Sequence, residues 1–195
     1  PNNKILQRIF SFIGQGSEFI RKKPSFNSYK LFQLSGILCS RVRNKKGLLI
    51  LLQEFFPSFE IKIKEFVPSM VKLDERPKIG SSFDDQGFRL GNNSVVGESV
   101  LDFMSRICIE IGPMDFDDYL EFLHNGKNAK LLRELLNFYL NDGLKYDLQC
   151  KIRSRSIKDI PWNDQRVKLG RSFWLGTPQT DLVEEYFDYE RYTAA

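Results

Sequence analysis

Leu31, Leu34, Ile37 and Leu38 recur at spacings of three and four, which predicts a helix starting near Ser28, a residue able to cap it. The polar run Asn44-Lys45-Lys46-Gly47 breaks that pattern. Leu48 to Phe56 is densely apolar and predicts a second helix, stopped by Pro57, whose ring cannot continue it. From Phe59 to Val67 apolar and charged residues alternate, as in a strand with one buried face. A polar loop follows from Pro68 to Phe88, holding Pro68, Pro77, Gly80 and Gly87. Upstream, Ile5 to Ile13 forms a short apolar-periodic segment, followed by Gly14-Gln15-Gly16 and a basic turn ending at Pro24.

The second half repeats this order. Arg106 to Ile111 reads as a strand. Asp115 can cap a helix through Phe116, Tyr119, Leu120 and Leu123, ended by Asn125-Gly126. Leu131 to Leu140 is another apolar helix, Leu144 to Ile152 alternates as a strand, and a polar loop runs from Arg153 to Val167. The closing phrases also match: Arg89-Leu90-Gly91 to Val96-Gly97 and Lys168-Leu169-Gly170 to Trp174-Leu175-Gly176 lie 79 positions apart. The expected fold is α+β, with two similar helix-helix-strand-loop lobes from an internal duplication and a helical amino-terminal segment. The expected divisions are a basic segment 1–26, lobes 27–100 and 101–178, and an acidic tail 179–195. Two copies are too few for a solenoid. The paired glycines mark tight backbone turns, and Trp174 is either a core residue or an interface anchor.

Charge refines the picture. Residues 1–47 carry ten Lys/Arg against Glu18 alone, whereas residues 176–195 carry Asp181, Glu184, Glu185, Asp188 and Glu190 against Arg191. A basic stretch can track phosphates or meet an acidic protein surface. Phe10, Phe12, Phe19, Phe26, Tyr29 and Phe32 are interleaved with it, and bases stack on such rings. The whole chain, 195 residues with 42% apolar positions and 17 Phe, can bury a core without disulfides or metal. Its longest unbroken apolar run, Leu48 to Leu52, is far short of the roughly 20 residues that span a bilayer. No secretory-signal pattern opens the chain.

Catalytic chemistry finds little footing. Cys39, Cys108 and Cys150 are far apart and His124 is the single histidine, so a zinc ligand set is missing and a reducing compartment fits. Asp115, Asp117, Asp118 and Glu121 cluster as acids do at the positive end of a helix. Gly14-Gln15-Gly16 lacks the rest of a phosphate loop, and there is no Gly-x-Ser-x-Gly elbow. No enzyme and no cofactor is expected.

The phrase Ile109-Glu110-Ile111-Gly112-Pro113-Met114-Asp115 before a helix, then Lys168-Leu169-Gly170 to Trp174-Leu175-Gly176, resembles the TssG (ImpH/VasB-like) baseplate subunits of bacterial type VI secretion systems. Leu90-Gly91 followed by Val95-Val96-Gly97-Glu98 is similar to that family's Leu-Gly…Leu-Gly-Glu phrase, with valines in place of leucine. Met114 stands where leucine is usual, a volume-conserving change. Members begin with a longer amino-terminal region, absent or abbreviated here, so the chain is expected to be a carboxyl-terminal portion or the visible part of a longer subunit. The resemblance implies a scaffold in the cytoplasmic baseplate wedge, at the inner face of the inner membrane. It implies TssF-like wedge partners, TssK-like trimers and a TssE-like sheath initiator, with neither nucleic acid nor direct membrane insertion. Loops 68–88 and 153–167 are the expected grips on the trimers, with Val71, Leu73, Pro77, Ile157, Ile160, Pro161 and Trp162 as apolar anchors. The alternative reading is a basic nucleic-acid-binding module.

Overall fold

Asn44 does not end a helix; it begins one. In the computed structural model its side chain accepts a hydrogen bond from the Gly47 amide at 2.7 Å and its backbone is extended, so it caps a helix over Lys45–Phe55. The described residues are 8, 11, 30, 33–40, 42–73, 97–123, 126–140, 144–157, 172 and 180–188. In chain order they form helix α1 (Ser35–Leu38), α2 (Lys45–Phe55), strands β1 (Ile61–Lys64), β2 (Ser69–Lys72), β3 (Ser99–Asp102) and β4 (Arg106–Met114). Helices α3 (Phe116–Phe122) and α4 (Lys127–Tyr139) follow, then β5 (Lys145–Arg153), a 3-10 turn (Ser154–Ser156) and β6 (Leu182–Phe187).

Strands β1, β4, β5 and β6 make a four-stranded mixed sheet in that order, and β2 pairs with β3 in a separate two-stranded ribbon. β4 is antiparallel to β1 and parallel to β5, and the β4–α3–α4–β5 path supplies the helical crossover a parallel pair requires. β5 is antiparallel to β6. The sheet therefore draws β1 from residues 27–100, β4 and β5 from residues 101–178, and β6 from residues 179–195. One sheet and one core cluster join all three segments.

One face of the sheet is apolar. Ile61 and Ile63, Ile107, Ile109 and Ile111, Tyr146, Leu148, Cys150 and Ile152, and Phe187 are all buried, and Leu48, Leu51 and Leu52 of α2 with Leu132, Leu135 and Leu136 of α4 join the same core. Phe56 and Phe59 lie against the Phe122 ring, each at 5.4 Å between centroids. Each such side chain withdrawn from water contributes about 1.5–3 kcal/mol. No described helix is long and apolar enough to cross a membrane.

Two sequence expectations change here. Residues 182–187, inside the segment read as an acidic tail, form strand β6: Glu184 pairs across from Lys151, and Phe187 packs into the core. The loop expected from Pro68 begins instead as β2, because Ser69 to Lys72 find a partner strand about 30 residues later that sequence alone did not reveal.

Candidate partner-binding surface

The β2–β3 ribbon sets Met70 opposite Leu101 and Val71 opposite Val100. Side chains alternate across a strand, so the Met70–Leu101 pair and the Val71–Val100 pair lie on opposite faces. All four are exposed, as are Phe66, Phe103 and Met104, the last at 81%. An isolated two-stranded ribbon is marginal in water, and this one presents apolar pairs on both faces.

Its base is fixed firmly. Ser69 Oγ donates to the Asp102 carbonyl at 3.4 Å, and the Asp102 carboxylate accepts from the amides of Met104 at 3.0 Å and Ser105 at 3.1 Å. The Ser105 hydroxyl and the Met104 amide hold the Asp102 carboxyl below its ordinary range. At the other end the Leu73 amide donates to the Glu98 carbonyl at 3.0 Å, and Gly97 adopts φ +123°, a left-handed conformation suited to glycine. The ribbon is thus defined at both ends.

The base of the second loop is clamped as well. Asp115 makes no side-chain cap to α3; it accepts instead from Arg153 at 2.9 Å, and Ser156 Oγ takes the Phe116 amide at 3.0 Å. The cap expected of Asp115 is supplied from 40 residues away. Ser154 bonds to the Thr180 carbonyl through its hydroxyl and to the Asp181 carbonyl through its amide, which ties this turn to the entrance of β6.

Of the expected anchors, Val71 lies on the ribbon and is exposed, and Leu73 is half-buried where the ribbon ends. Ile157 is half-buried against the core, so its side chain contributes to packing at the root of its loop. Pro77, Ile160, Pro161 and Trp162 lie outside the described residues, as do Leu90, Gly91, Val96, Leu169, Gly170, Trp174, Leu175 and Gly176. Gly112 and Pro113 sit within β4, joined by a cis peptide bond. Gly112 has φ +129°, its amide donates to the Glu60 carbonyl at 3.0 Å, and a Cβ there would overlap the Lys151 carbonyl oxygen. This landmark is structural. Val100, Leu101, Phe103 and Met104 escaped the sequence reading; the run Ser99 to Met104 mixes apolar and polar residues and shows its exposure only once paired with β2.

The second face of the main sheet carries charge. Glu110 pairs with Lys64 and, at 3.4 Å, with Lys151, which also reaches Glu184 at 3.6 Å. Arg106 contacts Asp147 at 3.0 Å and Asp188 at 2.9 Å, and the Tyr186 hydroxyl donates to Asp147. Burial pushes the Glu110 carboxyl up, but Lys64 and Lys151 outweigh it and hold it below the usual range. Burial, then the Asp147 and Glu110 charges, pushes the Cys108 thiol up to about 11. A thiol kept protonated is a poor nucleophile. Among the described residues no three His, Cys, Asp or Glu side chains converge as a metal site. The pattern is one of strand-to-strand ion pairs that fix register.

The model of the type VI secretion TssG family matches residues 1–176. The chain belongs to the TssG family. Comparison with curated proteins finds no match. Among solved structures, a chain of the type VI secretion system TssK-TssF-TssG baseplate subcomplex, determined by cryo-electron microscopy, aligns with a TM-score of 0.76 at 14% identity, covering 96% of this TssG-family chain and 78% of its own. A chain of the type VI secretion baseplate complex aligns with a TM-score of 0.66 at 15% identity, covering 95% of this chain and 53% of its own. This TssG-family chain thus spans about half the length of that second relative. At such identities the likeness is one of fold.

Proposed function

We propose that this chain is a non-enzymatic structural subunit of a type VI secretion baseplate wedge, joining TssF-like partners and docking TssK-like trimers. Family membership supports the setting, and the fold it shares with chains of baseplate complexes supports the role. The observation that carries the docking assignment is the β2–β3 ribbon, apolar on both faces and rooted at both ends. Large exposed apolar patches mark association surfaces. The first grip is then the ribbon with its loop 68–88, and the second is loop 153–167, rooted by Ser154 and Ser156, with Trp162 as its anchor. Two grips follow from an internal duplication, in which α2–β1 and α4–β5 are corresponding helix–strand units of the 27–100 and 101–178 lobes. The subunit acts in the bacterial cytoplasm, at a baseplate docked on the inner membrane, where a TssE-like protein starts the sheath.

Co-expression with the TssF-like and TssK-like products of the same locus, followed by size-exclusion chromatography with light scattering, tests this reading. A complex containing both supports it, and Trp162→Ala is expected to weaken trimer retention while TssF-like binding persists. A monomer that ignores both partners overturns it.

A further inference from the structure

A cavity of about 210 Å³ opens where the start of α2 meets the ends of β1, β4 and α4. Its walls are apolar: Leu48, Ile63, Ile107, Leu140 and Leu144. Its rim is cationic. The Arg43 guanidinium is held over the Tyr139 ring at 5.0 Å and donates to the Leu38 carbonyl at 2.9 Å, and Lys45 stands 3.5 Å from Glu65, the one acid among the described residues that line the site. Lys46 is exposed on the same turn.

Two features define the occupant. The volume falls below the roughly 300–1,000 Å³ of small-molecule pockets, so it suits one large side chain, the form an interface anchor takes. Arg43 and Lys45 exceed Glu65 in charge, and Lys45 and Lys46 open a helix with no acid in its first turn, where cations are disfavoured. An anion at the rim relieves that repulsion. We propose that this cavity is a docking pocket for an acidic peptide segment of a partner protein, which inserts one aromatic or aliphatic side chain between Leu48 and Leu144 and sets a carboxylate against Arg43 and Lys45. The pocket is separate from the ribbon, so its test does not depend on baseplate assembly.

The probes are three blocked dipeptides, acetyl-Phe-Asp-amide, acetyl-Phe-Lys-amide and acetyl-Ala-Asp-amide, titrated into the full chain with labelled Leu and Ile methyl groups. The expected result is saturable shifts by the first, confined to the methyls of Leu48, Ile63, Ile107, Leu140 and Leu144, with at least about tenfold weaker binding of the other two. Lys45→Glu leaves the apolar walls intact and is expected to reverse the preference between Asp and Lys, with thermal unfolding showing that the variant is folded. Leu140→Trp, which fills the cavity, is expected to abolish the shifts. Equal binding of Phe-Asp and Phe-Lys, or no saturable shift at these methyls, overturns the proposal.

Discussion

Tyr139 and Asn44 hold each other through a pair of hydrogen bonds: the Asn44 amide donates to the tyrosine hydroxyl at 3.2 Å, and that hydroxyl donates to the Asn44 carbonyl at 3.0 Å. The contact joins the last residue of α4 to the cap of α2 across 95 positions of chain. It also explains Gly47, where a Cβ would overlap the Tyr139 hydroxyl and come within 2.8 Å of Ile37. Tyr139→Phe removes both bonds and keeps the ring, at a cost of about 1–2 kcal/mol. The expected outcome is a lower unfolding midpoint in urea with an unchanged slope.

Gly112→Ala is expected to be far more damaging. The left-handed φ and the collision with the Lys151 carbonyl act together at the β4–β5 junction, where the register shifts between Ile111 and Met114. Strain of this kind costs about 1–3 kcal/mol before any disruption of the sheet. Soluble yield and urea midpoint should both fall well below those of Tyr139→Phe.

Glu110 gives the fold an acid dependence with a definite sign. Its folded carboxyl titrates below the ordinary 4.5, so the stabilisation is complete above that value and is lost as pH falls toward the lowered folded one. Wild type should therefore lose thermal stability more steeply below pH 4.5 than Glu110→Gln does. Parallel curves would show that Lys64 and Lys151 contribute nothing through this carboxylate.

Thiol reactivity should divide along burial. Cys39 is exposed, whereas Cys108 and Cys150 are buried and burial raises both thiols, Cys108 to about 11. A disulfide reagent at neutral pH is expected to modify one thiol per folded chain rapidly and the other two only after denaturation.

Part of the main sheet was legible in the sequence because two of its four strands alternate strictly. Ile61-Lys62-Ile63-Lys64 and Tyr146 to Ile152 announce one buried face, and α4 announces its stripe through Leu132, Leu135 and Leu136. What escaped depends on distant partners. Ser99 to Asp102 become a strand only opposite Ser69 to Lys72, and Leu182 to Phe187 only against β5. Asp115 had the local credentials of a cap, yet Ser156, 40 residues on, accepts the Phe116 amide in its place, and the Asp115 carboxylate accepts from Arg153 instead. The Gly112-Pro113 landmark pointed correctly to the family, and its glycine is required by the close approach of β5. The anchors chosen within the loops came from composition alone, which cannot tell Ile157, packed on the core, from Val71, which faces outward.

The ribbon is where the central claim is most directly tested. Met70→Lys combined with Leu101→Glu replaces one apolar face of the ribbon by a cross-strand pair of opposite charges, at side chains that are 65% and 51% exposed, so the core is untouched and the strand pairing is kept. The measurement is binding of a TssK-like trimer to the wild-type and variant wedge subunit, each co-purified with its TssF-like partner. At least about tenfold weaker trimer binding with an unchanged unfolding midpoint is expected, since buried apolar anchors dominate such interfaces. Equal binding by a folded variant would contradict the assignment of the ribbon as a docking surface.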